Sequence, residues 1–159
     1  MLDNCKTSEE RWLGVQALVN RWLDDRQELI VLYCSLSGVN ALQASCKSST
    51  DKIRQFCQLM MDYTSAGHFE VYDQLARATE DSSSRNHGPF QQLYPEIQLT
   101  TDAILRFNDL FDTDEHCAQA LGQLKNELSL LGEQLVNRFA LEDQLISILQ
   151  SSRTNKSNG

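Results

Sequence analysis

The stretch from Thr7 to Gly38, TSEERWLGVQALVNRWLDDRQELIVLYCSLSG, has the pattern of one long amphipathic helix. Thr7 followed three residues later by Glu10 forms a capping box, and Gly38 suits a C-terminal cap. Between them, core-type positions recur every three or four residues, which places them on one helical face. That face comprises Trp12, Val15, Val19, Trp22, Arg26, Leu29, Tyr33 and Leu36. The spacing predicts a helix of about 30 residues, roughly 45 Å long.

The same spacing recurs in three later segments and predicts three more long helices. The second helix begins near Ser49 or Thr50, and its apolar face is Ile53, Phe56, Cys57, Met60 and Tyr63 or Thr64. A later helix carries Phe90, Tyr94, Ile97, Thr101, Ile104, Asn108 and Phe111, with Pro89 or Pro95 in its first turn. The last helix spans about 115–150 and carries Leu121, Leu124, Leu128, Leu131, Leu135 and Phe139, with Gly122 and Gly132 as candidate interruptions.

Long helices with short connections predict an all-α fold: an antiparallel four-helix bundle with long first and last helices and one short extra helix. The length of 159 residues fits one domain with a single core, which we place at residues 1–150. Residues 151–159 have no apolar side chain to bury, so we expect a disordered C-terminal tail.

The segment Asp62-Tyr-Thr-Ser-Ala-Gly-His-Phe-Glu-Val-Tyr72 interrupts the regular pattern. Because Gly67 costs a helix interior about 1 kcal/mol relative to Ala, we expect a break there. Ser65 would then cap a short helix that ends near Ala78. The alternative is one continuous helix, which places Phe69 about two and a half turns beyond Met60 on the exposed face. A break would turn Phe69 into the core instead, and the residues alone leave both alternatives open.

The net charge of −8 bears on the partners of this chain. An acidic surface disfavours direct binding to DNA and to anionic membranes and favours a basic protein partner. Acidity that serves solubility alone is an equally good explanation. No apolar run is long enough to span a membrane, and charged residues from Lys6 to Arg11 disrupt a signal peptide. We therefore expect a cytoplasmic protein.

Five cysteines are present, at positions 5, 34, 46, 57 and 117, and no two have a CxxC spacing. Cys34, Cys57 and Cys117 fall near the apolar faces of predicted helices. We expect these three to be small core residues in a reducing cytoplasm.

Helical bundles host several kinds of chemistry that these residues do not favour. A di-iron site needs Glu three residues before an inward-facing His, and His68, His87 and His116 all lack it. Hydrolase, phosphate-loop and dinucleotide motifs are absent from the sequence. The sequence therefore predicts no enzyme activity, no catalytic residue, no metal and no cofactor. The main alternative from another functional class is histidine phosphotransfer through an exposed His, or another scaffold-type helical bundle.

Two charged residues, Arg26 and Glu142, lie on faces that are otherwise apolar, and Arg138 lies one turn before Glu142. Charges on a buried face need partners, so we expect a structural cluster of Arg26, Arg138, Glu142 and Asp143 that fixes helix register. The alternative is that each side chain reaches solvent at the edge of its helix.

Several short motifs along the chain form a set. They are the opening Met-Leu, Arg21-Trp22-Leu23, Asp62-Tyr63, Ser65-Ala66-Gly67-His68-Phe69, Tyr72 and Arg138-Phe139-x-Leu141-Glu142-Asp143-x-Leu145-Ile146. This set spans about residues 1–150 and resembles the regulator of sigma D family, the Rsd/AlgQ anti-sigma factors. Ser-Ala-Gly-His-Phe is the more specific motif, since Arg-Trp-Leu alone would be weak. The stretches 21–28 and 68–72 are closer to the AlgQ branch.

The resemblance implies a helical bundle that acts as a non-enzymatic anti-sigma factor, with stationary-phase regulators among the family members. Such proteins bind region 4, the C-terminal region of the housekeeping sigma factor, which reads the promoter −35 element and docks on core polymerase. The resemblance also implies a partner-binding surface formed by Asp62, Ser65, His68 and Phe69, with Tyr72 in support. Some members are linked to a phosphotransfer-system carrier protein, which is a further candidate partner.

Overall fold

The computed structural model describes residues 8–37, 47–73 and 87–157, and within these ranges the secondary structure is helical with no strand. The α-helices are α1 (Ser8–Ser37), α2 (Lys47–Ala66), α3 (His87–Phe111), α4 (Asp114–Ala120) and α5 (Leu124–Ser157). A five-residue π-helical segment, Gly67–Val71, continues α2, and a 3-10 turn, Leu121–Gln123, joins α4 to α5. Residues 74–86, which include the predicted short-helix end at Ala78, lie outside the described residues.

Four long helices pack as an antiparallel bundle, which confirms the predicted fold. For each pair of neighbouring helices, residue numbers rise along one helix while the residues that they contact fall in number along the other. The pairs are Trp22 with Tyr63 and Tyr33 with Phe56 between α1 and α2, Arg26 with Asp143 and Tyr33 with Leu128 between α1 and α5, and Thr100 with Arg138 and Arg106 with Glu127 between α3 and α5. The short extra helix was predicted to follow Ser65, but there α2 continues into the π segment; the short helix among the described residues is α4, between α3 and α5.

The core is built from the faces that the three-and-four spacing predicts. On α1, Val15, Val19, Trp22, Leu29 and Leu36 are buried, and Trp12, Arg26 and Tyr33 are half-buried. On α2, all six positions of the predicted face are buried. The spacing did not predict Phe107 and Thr100 on α3, which are 1% and 3% exposed. Phe107 packs between Phe56 and Phe111, with ring centroids 5.8 and 4.7 Å away.

Two of the three cysteines predicted to be core residues are buried. Cys57 and Cys117 both donate from sulfur to the backbone carbonyl of Phe111, at 3.8 and 3.2 Å. Cys34 is exposed, so the prediction is wrong for that residue. Five residues separate Cys34 from the core residue Leu29, which rotates it about 140° away from the buried face.

The predicted break at Gly67 is wrong, and the helix runs through it. The backbone is helical at Ala66 and again at Tyr72, with φ and ψ of −60° and −43°, and of −64° and −37°. Gly67 is buried because the indole of Trp22 occupies the space of a side chain: a Cβ at position 67 would lie 2.9 Å from Trp22 Cζ2. The glycine therefore serves close packing between α1 and the end of α2, not a helix break.

The last predicted helix begins where it was predicted, is interrupted at one of the two candidate glycines, and extends beyond its predicted end. It begins as α4, where Thr113 accepts a hydrogen bond from the His116 amide at 3.0 Å, and passes through the 3-10 turn at Gly122 before continuing as α5. Its backbone stays helical to Ser157, beyond the predicted helix end near residue 150. No Gly or Pro lies between Gly132 and Ser157, so nothing in the backbone chemistry ends the helix earlier. At the start of α3, Pro89 lies in the first turn and Pro95 lies inside the helix.

Candidate functional site

The end of α2 and the π segment carry four of the five residues of the predicted partner-binding set, and the fifth, Tyr72, directly follows the segment. Asp62 and Ser65 are exposed on α2, and Asp62 accepts a hydrogen bond from Gln58 at 3.1 Å. His68 and Phe69 belong to the π segment, and their side chains lie outside the described part of the structure. Tyr72 is only 3% exposed and points into the bundle. Tyr72 can therefore support this surface from inside but does not lie on it.

The π segment explains why Tyr72 points inward. In a regular α-helix the nine residues from Tyr63 to Tyr72 make about two and a half turns, which would place the two rings on opposite faces. Here the Tyr72 amide donates to the carbonyl of Gly67, five residues earlier, so the turn contains one more residue than an α-turn. The wider turn rotates the chain less per residue. Both Val71 and Tyr72 consequently face the core, at 1% and 3% exposed.

Glu142 on α5 lies at the centre of a buried polar network and is 0% exposed. The Tyr63 hydroxyl donates to Glu142 Oε1 and the Tyr72 hydroxyl donates to Glu142 Oε2, both at 2.8 Å. Each carboxylate oxygen therefore accepts from one tyrosine: Oε1 from Tyr63, before the π segment, and Oε2 from Tyr72, after it. Hydrogen bonds to a carboxylate are among the stronger ones in proteins.

Two arginines complete this network symmetrically. Arg26 donates from Nε to the Tyr63 hydroxyl at 3.0 Å, and Arg138 donates from Nη2 to the Tyr72 hydroxyl at 3.1 Å. Their ion-pair distances to Glu142 are 3.6 Å from Arg26 Nη2 and 3.5 Å from Arg138 Nε. Each tyrosine hydroxyl thus donates to the glutamate and accepts from an arginine, so both of its hydrogen-bonding roles are used.

The remaining contacts of the arginines tie the network to the other helices. Arg26 Nη1 donates to Asp143 Oδ1 at 2.7 Å, and Arg138 Nη1 donates to the hydroxyls of Thr100 and Thr101 at 3.1 and 2.8 Å. The four long helices all contribute residues to it. The fully buried Arg138 and Glu142 are opposite in charge, which lowers the penalty for burying them, and the half-buried Arg26 meets its second carboxylate, Asp143, at the surface.

Burial shifts the ionisation of these groups. It raises the pKa of Tyr63 and of Tyr72 well above the usual range, and nearby Glu142 adds to the rise in both cases. Burial also raises the pKa of Glu142, whereas Arg138, the two tyrosine hydroxyls and Arg26 oppose that rise. The tyrosines therefore stay protonated as donors at any physiological pH.

Aromatic rings enclose the Arg26 side of the network. Trp22 stacks on Tyr63 at 5.0 Å between centroids, and its Nε1 donates to the Tyr63 carbonyl at 3.2 Å. The guanidinium of Arg26 lies 5.6 Å from the Trp22 ring centroid and 4.8 Å from that of Phe139. These contacts hold Arg26 in place by cation–π attraction and packing as well as by hydrogen bonds.

The structure brings together all four residues of the cluster that the sequence predicts, namely Arg26, Arg138, Glu142 and Asp143. Asp143 differs from the others, because 61% of its side chain is exposed and it meets Arg26 at the surface. Sequence reasoning missed Tyr63, Tyr72, Thr100 and Thr101 as members of this cluster. Their one signal was a polar atom on an otherwise apolar face, which Tyr63 and Thr101 show by their place in the predicted stripes.

Among the residues that the structure describes, no group of three or more His, Cys, Asp or Glu side chains is arranged to hold a metal ion. Within the same ranges, every helix is too short or too polar to traverse a lipid bilayer. His116 is exposed and pairs through Nδ1 with Asp112 Oδ1 at 2.6 Å, near the start of α4.

The sequence of this chain matches a known protein family over most of its length. The family model described as regulator of RNA polymerase sigma(70) subunit, Rsd/AlgQ, matches residues 1–150. The chain is 33% identical to the regulator of sigma D of Yersinia enterocolitica, over 92% of this chain and 88% of that protein. It is 32% identical to the regulator of sigma D of an Enterobacter species, over 99% of this chain and 95% of that protein. The chain therefore belongs to the Rsd/AlgQ family of regulators of the RNA polymerase sigma(70) subunit.

Proposed function

We propose that this protein is a non-enzymatic anti-sigma factor that binds region 4 of the housekeeping sigma factor and sequesters it. Family membership supports a sigma-factor partner. Region 4 is the part that contacts both the −35 element and core polymerase, so one bound protein would block both contacts. Sequestration of this kind needs complementary surfaces and no bond-making chemistry.

The observation that carries this proposal is the charge of the surface at the end of α2. Residues 55–75 contain three acidic residues, Asp62, Glu70 and Asp73, and no Lys or Arg. All three acidic side chains are exposed. A DNA-reading domain is basic where it meets DNA, so an acidic surface is complementary to it.

We place the contact on Asp62, Ser65, His68 and Phe69, with Tyr72 as an internal support. Aromatic residues at the centre of an interface commonly carry much of the binding free energy, which makes Phe69 the most informative position to change. Exposed acidic residues at the rim contribute more to the association rate than to affinity.

Calorimetric titration with isolated region 4 tests the proposal. We expect one-to-one binding that Phe69→Ala weakens about 5- to 30-fold, which corresponds to roughly 1–2 kcal/mol. Leu130→Ala is the matched control, because it removes an exposed apolar side chain from α5, and we expect it to leave binding unchanged. Thermal melting of both variants verifies that they remain folded.

Two outcomes would contradict parts of the proposal. Absence of binding by the unmodified protein at low salt would overturn the anti-sigma function. Binding that Phe69→Ala does not weaken would keep the function and remove Phe69 from the contact surface.

A further inference from the structure

Glu142 joins two points of the chain that lie on either side of the π segment. Tyr63 precedes the segment by one α-helical turn and Tyr72 follows it directly. Because each carboxylate oxygen accepts from one of these hydroxyls at 2.8 Å, the distance between the two tyrosines is set by a single side chain on α5. The proposed partner-binding residues Ser65, His68 and Phe69 all lie between the two tyrosines.

Without the wider turn, the same stretch would form a regular α-helix. Loss of the extra residue in the turn would rotate Tyr72 by about 100° relative to Tyr63. The Tyr72 hydroxyl would then leave Glu142 Oε2 and would no longer accept from Arg138 Nη2. A buried carboxylate oxygen would lose its hydroxyl donor, which is costly in a core. The contacts of Glu142 therefore favour the π conformation over the α conformation.

The choice between these conformations changes the surface. Asp62 precedes the π segment, whereas His68, Phe69 and Glu70 lie within it. A change from π to α turns rotates the later residues relative to the earlier ones. The relative orientation of the two halves of the acidic surface thus depends on which turn is formed.

We propose that Glu142 is a positioning residue for partner binding: by accepting hydrogen bonds from Tyr63 and Tyr72, it holds Gly67–Val71 in the π conformation that aligns the surface from Asp62 to Asp73. Glu142 acts from the core and does not touch the partner. The effect on the π segment is independent of the partner's identity, and the effect on sigma binding rests on the proposed function.

Amide hydrogen exchange measured by mass spectrometry tests the first part. We expect Tyr72→Phe and Glu142→Gln to exchange at least 10-fold faster over residues 67–72 than the unmodified protein. Tyr33→Phe and Glu127→Gln are the matched controls. Tyr33 donates to the Leu128 carbonyl and Glu127 pairs with Arg106, both away from Glu142. We expect the controls to leave exchange over 67–72 unchanged.

Affinity for region 4 tests the second part with the same four variants. We expect Tyr72→Phe and Glu142→Gln to weaken binding at least 5-fold, and the two controls to change it less than 2-fold. If Glu142→Gln does not fold, Tyr72→Phe alone decides, because it removes one hydroxyl and keeps the ring.

Three results would overturn the inference. Exchange over 67–72 that is unchanged in Tyr72→Phe would show that Glu142 does not hold the π conformation. Faster exchange throughout the chain would assign Glu142 to general stability alone. Faster local exchange with undiminished affinity would separate the π segment from partner binding. If the unmodified protein does not bind region 4, the exchange measurement still decides the role of Glu142.

Discussion

At Gly132 the missing side chain makes room for a tyrosine from another helix. The ring of Tyr33 on α1 packs against this position, and a Cβ there would clash with Tyr33 Oη and Cζ. Tyr33 uses the space to donate from its hydroxyl to the Leu128 carbonyl at 2.7 Å. The contact between α1 and α5 therefore requires glycine at this position, although glycine is less favourable than other residues inside a helix such as α5.

Gly132→Ala should destabilise the protein by about 1–3 kcal/mol, because the added methyl displaces Tyr33 from a filled site. Gly14→Ala is the matched control, since nothing lies within 4 Å of a Cβ at position 14 of α1. That change should stabilise by up to about 1 kcal/mol through helix propensity. Chemical denaturation of both variants measures the difference, and equal effects at the two positions would contradict this account of Gly132.

Among the elements, α4 shows how a seven-residue helix is held between two long ones. Thr113 caps its first turn, and Cys117 inserts its thiol beneath it to reach the Phe111 carbonyl. His116 lies close to the positive N-terminal end of α4, which disfavours a protonated imidazole. Asp112, at 2.6 Å from His116 Nδ1, reverses this and raises the pKa of His116 above its ordinary value.

This pair gives the start of α4 a defined pH dependence. A folded-state pKa above the unfolded value of about 6.5 means that the folded protein binds the His116 proton more tightly. The stabilisation is then fully present below pH 6.5 and is lost as the pH rises through the folded pKa. NMR titration of the imidazole should show a pKa above 6.5, and Asp112→Asn should lower it. The same His116 pKa in both proteins would contradict the role of Asp112.

The π segment marks the limit of what the sequence could predict about the elements. The spacing of apolar residues fixed the faces of α1, α2 and α5, because each face repeats over many turns. Gly67 wrongly indicated a helix break. A glycine is needed there because the indole of Trp22, on another helix, occupies the space of a side chain. Tyr72 was predicted to support the partner-binding surface from its motif alone, but its contact with Glu142 could not be predicted because the two residues are far apart in the chain.

For the whole molecule, the packing of the bundle decides where the net negative charge lies. Charged pairs such as Arg26 and Asp143 link helices, and the charged core is balanced, so most of the net charge of −8 lies on the surface. The four predicted cluster residues meet because the antiparallel bundle places α1 beside α5. The sequence identified them by their charge on apolar faces, and the bundle supplied their geometry.

Surface acidity predicts how the proposed complex responds to salt. Raising NaCl from about 50 to 300 mM should slow association with region 4 by roughly 10-fold, because screening weakens attraction between opposite charges. Dissociation should change less. Stopped-flow mixing measures both rates, and Asp62→Asn should show a shallower salt dependence than Glu133→Gln, an exposed control on α5. An association rate that does not respond to salt would contradict electrostatic attraction.

The contact between Tyr72 and Glu142 also has a consequence in time. The two residues are 70 positions apart, so a ribosome that adds about 5–20 residues per second makes Glu142 roughly 4–14 s after Tyr72. Until α5 emerges, Tyr63 and Tyr72 have no carboxylate to donate to, and nothing on α5 favours the π turn over an ordinary α-turn. A growing chain therefore carries the acidic segment before it carries the residue that shapes it, and the mature surface is acquired late, when the last helix docks.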